Sequence, residues 1–159
     1  MKALCSTAQA SLTGRRKLLL AGAAMGSLVL VRPALAAPDE LAAAIAAFTG
    51  GAPAPPGRVR LGIERLIDNG NTVPVTVRVD SPMSEADHVS AIAIFNERNP
   101  ERDVARFTLS PRCGRAAIAT RIRLATSQKI VAIARLSDGS HWSHTVEVIV
   151  TLAACIEEG

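Results

Sequence analysis

From residue 59 onward, apolar and polar positions alternate with a period of two, the signature of half-buried β-strands. Val59, Leu61 and Ile63 alternate with polar neighbours, and Asp68-Asn69-Gly70-Asn71 is a turn signal. Val73, Val75, Val77 and Val79 then mark one face of a strand, with Thr72, Thr76 and Arg78 on the other. Ser81-Pro82 breaks that strand and leaves 82–88 as a loop. Residues 89–95 are apolar on both faces, Asn99-Pro100 turns the chain, 103–109 alternate again, and 110–114 form a loop. In 116–124, Ile118, Ile122 and Leu124 share one face while Arg121 and Arg123 share the other. Residues 129–135 are again apolar on both faces, which suits a central strand. Asp138-Gly139 marks a hairpin, and 141–152 reads as the last strand, with Trp142, Val146, Val148 and Val150 inward.

Six or seven short strands with turns between them predict an all-β fold, an Ig-like antiparallel β-sandwich over 58–152. No helical stretch separates the strands, which disfavours a parallel α/β sheet. "Ig-like" refers to architecture, since the Cys…Trp…Cys spacing of immunoglobulin domains is absent. The strands apolar on both faces predict burial against a helix, a second sheet or a partner, and the pattern leaves those three open.

Ahead of the sandwich, 37–57 reads as a short N-terminal helix and a Pro/Gly linker. Pro38 suits a first turn, Asp39 and Glu40 sit at the positive helix end, and Gly50-Gly51 ends the alanine-rich stretch. The linker GGAPAPPG (50–57) is expected to set this arm apart from the body. Residues 1–36 read as a twin-arginine (Tat-type) signal peptide. Arg15 and Arg16 are paired, Leu18 to Val31 is an uncharged apolar run too short for a bilayer span, and Ala34-Leu35-Ala36 supplies the cleavage pattern after Ala36. The expected location is therefore the periplasm.

Cleavage changes the charge. Of 18 basic side chains, Lys2, Arg15, Arg16, Lys17 and Arg32 precede Ala37, and none of the 14 acidic ones does. The mature chain keeps 13 basic against 14 acidic groups, so the basic character of the whole chain is no argument for nucleic-acid binding. No mature segment is apolar enough to span a membrane. Nothing points to a cofactor or to catalytic residues: there is no phosphate-binding glycine loop and no G-x-S-x-G. A metal site is not expected, because His141 and His144, three apart on a strand, fall on opposite faces and His88 lies in a loop.

The cysteines remain. Cys5 leaves with the signal, and the mature chain keeps Cys113 in the loop SPRCG and Cys155 near the C-terminus. With a strand ending at Leu152, an extended tail would hold Cys155 about 10 Å beyond the sheet. A thiol on such a tail can enter another protein's pocket, be oxidised there and carry a sulfur adduct onward. A Cys113–Cys155 disulfide and an inert tail residue are the alternatives, and both stay open here.

Several stretches, in order, resemble the SoxY family of bacterial sulfur oxidation. They are DNGNTVPVTV (68–77) with DSPM (80–83), then Asn99-Pro100, TRIRLATSQ (120–128), Ser137-Asp138-Gly139, and Val150-Thr151 leading to a terminal cysteine. The resemblance implies an Ig-like sandwich in a heterodimer with a SoxZ-like subunit, and a non-catalytic carrier of thiosulfate-derived sulfur on Cys155. It implies as further partners a c-type cytochrome that conjugates thiosulfate to the thiol, a dimanganese hydrolase that removes sulfate, and a sulfane dehydrogenase. The family tail is GGCGG, whereas here 153–159 reads AACIEEG. Alanines and Ile156 take away backbone freedom and thinness, and Glu157 and Glu158 disfavour a thiolate and repel anionic thiosulfate. A second implied reading follows from that departure: an accessory or structural SoxYZ-like module of a periplasmic dehydrogenase, with Cys155 not a carrier.

Overall fold

The computed structural model describes residues 39–154, so Arg15, Arg16, Ala36 and Cys155 lie outside the described residues. Helix α1 (Glu40–Thr49) is followed by β1 (Val59–Gly62), β2 (Leu66–Ile67), β3 (Val73–Val79) and β4 (Val89–Asn96). Then come β5 (Asp103–Thr108), a 3-10 turn at Pro111–Cys113, β6 (Ala117–Ile122), β7 (Gln128–Leu136) and β8 (His141–Val150). Two sheets form: three strands in the order β1-β3-β6, and five in the order β2-β8-β7-β4-β5. The architecture is the expected two-sheet β-sandwich with one short helix.

The core lies between the sheets. Val73, Val75, Val77 and Val79 point inward from β3, and the even-numbered residues of β4 and β7 meet them, among them Ile92, Ile94, Ile130 and Ala132. The odd-numbered face of the same two strands is covered by α1. Leu41 and Phe48 pack there on Ala91, Ala93, Phe95, Val131 and Ile133, with the Phe48 and Phe95 rings edge to face at 5.9 Å. The doubly apolar strands are thus buried by a sheet on one side and a helix on the other. Helix α1 is short enough to need its ends secured. Asp39 Oδ1 accepts the Leu41 N–H at 3.1 Å, and Gly50, at φ 65°, ends it in the left-handed conformation.

Three features differ from the expectation. Strand β2 is two residues long and pairs parallel with β8, Leu66 opposite Ile149 and Ile67 opposite Val150; two residues carry no periodicity. Residues 54–57 do not set the helix apart from the body. They lie along β8, where Ser143 N donates to Pro55 O at 2.9 Å and Ser143 Oγ donates to Ala54 O at 2.7 Å. Strand β8 ends at Val150 rather than at Leu152.

His141 is placed under the helix. Its ring is 6% exposed, 6.0 Å from the Phe48 ring, and neither ring nitrogen has a partner among the described residues. Burial first, and the Arg135 charge second, hold its pKa below the ordinary 6.5. Folding therefore favours the neutral ring: the stability is fully present above pH 6.5 and is lost as pH falls from there through the lowered folded value. Melting temperatures measured between about pH 7.5 and about pH 5 are expected to fall for the wild type and to fall less for His141→Leu. Equal slopes would remove His141 as the source.

Candidate functional site: the root of the C-terminal segment

Three stretches meet at one end of the sandwich: the 68–71 turn before β3, the 123–127 connection between β6 and β7, and 151–154 after β8. The turn is shaped by Asn69, whose Oδ1 accepts the Asn71 N–H at 2.9 Å. It presents Gly70 to the other two. Gly70 N donates to Leu152 O at 2.8 Å, Leu124 N donates to Gly70 O at 2.8 Å, and Ala154 N donates to Leu124 O at 3.0 Å. The three backbones are so close that a Cβ on Gly70 would fall 2.3 Å from Leu124 O and 2.9 Å from Ala154 N. Glycine is required here by the approach of chain to chain, not by its own dihedrals.

Each partner in this ring is held from behind. Leu124 is fully buried in the core. Its neighbours are gripped by Asn99, whose Nδ2 donates to Arg123 O at 2.7 Å while its Oδ1 accepts from Ala125 N at 3.0 Å. The Asn99 amide thus acts as a pairing partner for the strand end that β6 no longer has. Gln128, 3% exposed, donates to the same Oδ1 at 2.8 Å and accepts from Arg98 N at 2.8 Å. Asn96, 1% exposed, receives the Asn99 N–H at 3.0 Å. On the other side, Thr151 donates through its backbone to Ile67 O at 2.9 Å and through Oγ1 to Asp68 O at 3.1 Å. Asn99→Ala would leave Gln128 and two backbone groups short of partners, and is expected to lower stability by about 2–3 kcal/mol in urea unfolding. Asn99→Asp keeps the acceptor and should lose less; equal losses would show that the donor to Arg123 matters alone.

The anchoring continues to Ala154, itself buried, where a free tail from Leu152 was expected. The next residue in the chain is Cys155, about 3.8 Å on along the backbone. Backbone hydrogen bonds therefore hold the chain two residues beyond Leu152, as far as Ala154.

Cys113 is elsewhere. It is exposed, and has no disulfide partner among the described residues, in the turn leading into β6. That strand enters beside Arg78 and leaves with Ile122 opposite Val73, next to the Gly70 turn. At about 3.3 Å per residue, the length of β6 puts about 17 Å between its two ends. Cys113 therefore lies at the opposite end of β6 from the Gly70 turn and the Ala154 root.

The histidines are also dispersed. His141 and His144 lie on opposite faces of β8, His144 Nδ1 accepting the Leu61 N–H at 3.0 Å, while His88 sits in a loop against Ser84 O at 3.1 Å. Among the described residues no group of three or more His, Cys, Asp or Glu is placed to hold a metal ion. A cleft of about 260 Å³ beside the Gly70 turn is lined by Glu64, Asp68, Asn69 and Thr72 with Ile67, Val73 and Pro74. It holds neither a histidine nor a cysteine. No described helix is long and apolar enough to cross a membrane.

Sequence reasoning marked the stretches 68–77, 99–100 and 120–128 without a role for them. Their convergence supplies one: Gly70, Asn99, Leu124 and Gln128 fasten the root of the terminal segment. The only forward signal was their joint presence, because hydrogen bonds between segments far apart in sequence leave no periodic trace.

The family model described as sulfur oxidation protein SoxY matches residues 45–155, from within α1 to the terminal cysteine. Among solved structures, the sulfur carrier protein SoxY from Chlorobium limicola f thiosulfatophilum is similar, with 28% identity and a TM-score of 0.58 over 70% of this chain and 96% of that one. Superoxide reductase (neelaredoxin) from Ignicoccus hospitalis shares the fold, at 17% identity and a TM-score of 0.53 over 59% of this chain and 80% of that one. No curated protein matches the chain.

Proposed function

Because the chain belongs to the SoxY family of sulfur oxidation proteins, we propose that it carries sulfur intermediates of thiosulfate oxidation covalently on Cys155. It works in the periplasm after export by its Tat-type signal, Arg15-Arg16, and cleavage after Ala36. It has no turnover of its own. The observation that supports this reading is the pinned root: the family match runs through Cys155, and the residue before it is fastened by backbone hydrogen bonds. A carrier needs its thiol at a reproducible place, and a fastened preceding residue supports that reading.

In the proposed cycle the Cys155 thiolate and the terminal sulfur of thiosulfate form an S–S bond, and the two electrons released pass to a c-type cytochrome. Water then cleaves the outer S–S bond, sulfate departs, and a persulfide stays on Cys155 for a sulfane dehydrogenase to oxidise. The partner enzymes supply these reactions, the cleavage falling to a dimanganese hydrolase. A SoxZ-like subunit completes a heterodimer. The chain itself contributes the sulfur atom that carries the intermediate.

Intact mass spectrometry of the mature protein from thiosulfate-grown cells tests the reading. Reductant-labile additions of sulfur or thiosulfonate mass are expected, in the periplasmic fraction. An unmodified mass under those conditions would favour the second reading, an accessory module whose departure from GGCGG reflects a cysteine that carries nothing.

A further inference from the structure

The two outer faces of the sandwich are unequal. Helix α1 covers part of the five-stranded sheet, whereas the outer face of β1-β3-β6 is exposed along its whole length. Three arginines stand on it, Arg60, Arg78 and Arg121, separated by the short side chains of Thr76, Ala117 and Ala119. The mature chain is close to neutral, so this face is positive because charge has been segregated onto it.

The arrangement is costly for the isolated fold. Arg60 lies directly opposite Arg78 in the antiparallel register, and like charges in that position destabilise a sheet. Asp80 reaches Arg60 at 3.7 Å between two well-exposed side chains, an ion pair of little strength. Arg78 and Arg121 make no ion pair among the described residues. Between the short side chains stand three guanidinium groups, none of which makes a hydrogen bond among the described residues, a geometry matched to carboxylates.

We propose that this face is a docking surface for a partner protein with an acidic face, whose carboxylates relieve the Arg60–Arg78 repulsion. A lipid surface fits less well. The large apolar side chains left exposed, Leu66, Ile149 and Leu152, all lie at the β2–β8 edge, so this face has none to insert between acyl chains.

The test uses a ten-residue polyglutamate peptide as probe and the ¹⁵N-labelled mature protein at low ionic strength. Amide shifts are expected to concentrate on β1, β3 and β6, and Arg78→Glu with Arg121→Glu should weaken binding at least tenfold. Arg78→Glu alone should raise the melting temperature by about 2 °C, because it places a carboxylate opposite Arg60. Stability and binding then move in opposite directions, which a merely structural arginine would not produce. Shifts spread evenly over arginines elsewhere, undiminished binding by the double variant, or a lower melting temperature for Arg78→Glu would each overturn the proposal. Tighter binding to phosphatidylglycerol vesicles than to the peptide would overturn it in favour of a membrane surface.

Discussion

Cys155→Ser is expected to abolish reductant-labile sulfur adducts, a drop of at least a hundredfold in modified protein, while the unfolding midpoint stays where it was. The chemistry requires sulfur: a serine hydroxyl neither ionises near neutral pH nor forms a bond to sulfane sulfur that thiols can reverse. The stability should hold because serine is nearly isosteric with cysteine, so the change belongs with substitutions worth under about 0.5 kcal/mol. Cys113→Ser is the companion variant. Cys113 is exposed but sits at the far end of β6 from the Ala154 root, so adducts should persist without it. Adducts that survive in Cys155→Ser, or that vanish in Cys113→Ser, would sink the assignment of the carrier thiol.

Gly70→Ala should produce the largest structural effect of a single methyl group. The added carbon would lie 2.3 Å from Leu124 O, and that atom is backbone, fixed on one side by a fully buried Leu124 side chain and on the other by the Asn99 amide. Something must move, and the least restrained partner is 152–154. A loss of about 2 kcal/mol is expected from urea unfolding, in the range of other overpacked sites. Hydrogen exchange at the Leu124 and Ala154 amides should accelerate while that at β4 and β7 keeps its pattern. Loading of Cys155 would then fall with its thiol chemistry unchanged, which separates a misplaced cysteine from a missing one. Unaltered exchange at Ala154 would mean that the three-way backbone contact does not hold the root.

Much of the sandwich was legible in the sequence because half-buried strands record their environment every second residue. Val73 to Val79 reads as one inward face, and it is one. The doubly apolar pattern of 89–95 and 129–135 marked two strands buried on both sides, and β4 and β7 are adjacent within the five-stranded sheet. That α1 is what covers their second face was not legible, since an alanine-rich helix of ten residues shows only a weak apolar stripe. The two-residue β2 is defined by its neighbour β8 and by nothing in its own composition. The course of 54–57 along β8 was hidden by a Pro/Gly composition that linkers and edge segments share.

What the sequence by itself determined is the alternation that makes the sheets, the two strands that must be central, the family to which the chain belongs, and the terminal cysteine that family implies. What only the tertiary structure decided is how the chain leading to that cysteine is held, as far as Ala154. Gly70, Leu124, Leu152 and Ala154 are joined by backbone hydrogen bonds, and Thr151 is tied to Ile67, 84 positions away. A strand's period is a local property that one segment can display alone. A backbone ring closed by three segments exists only once the two sheets have packed and brought their ends together.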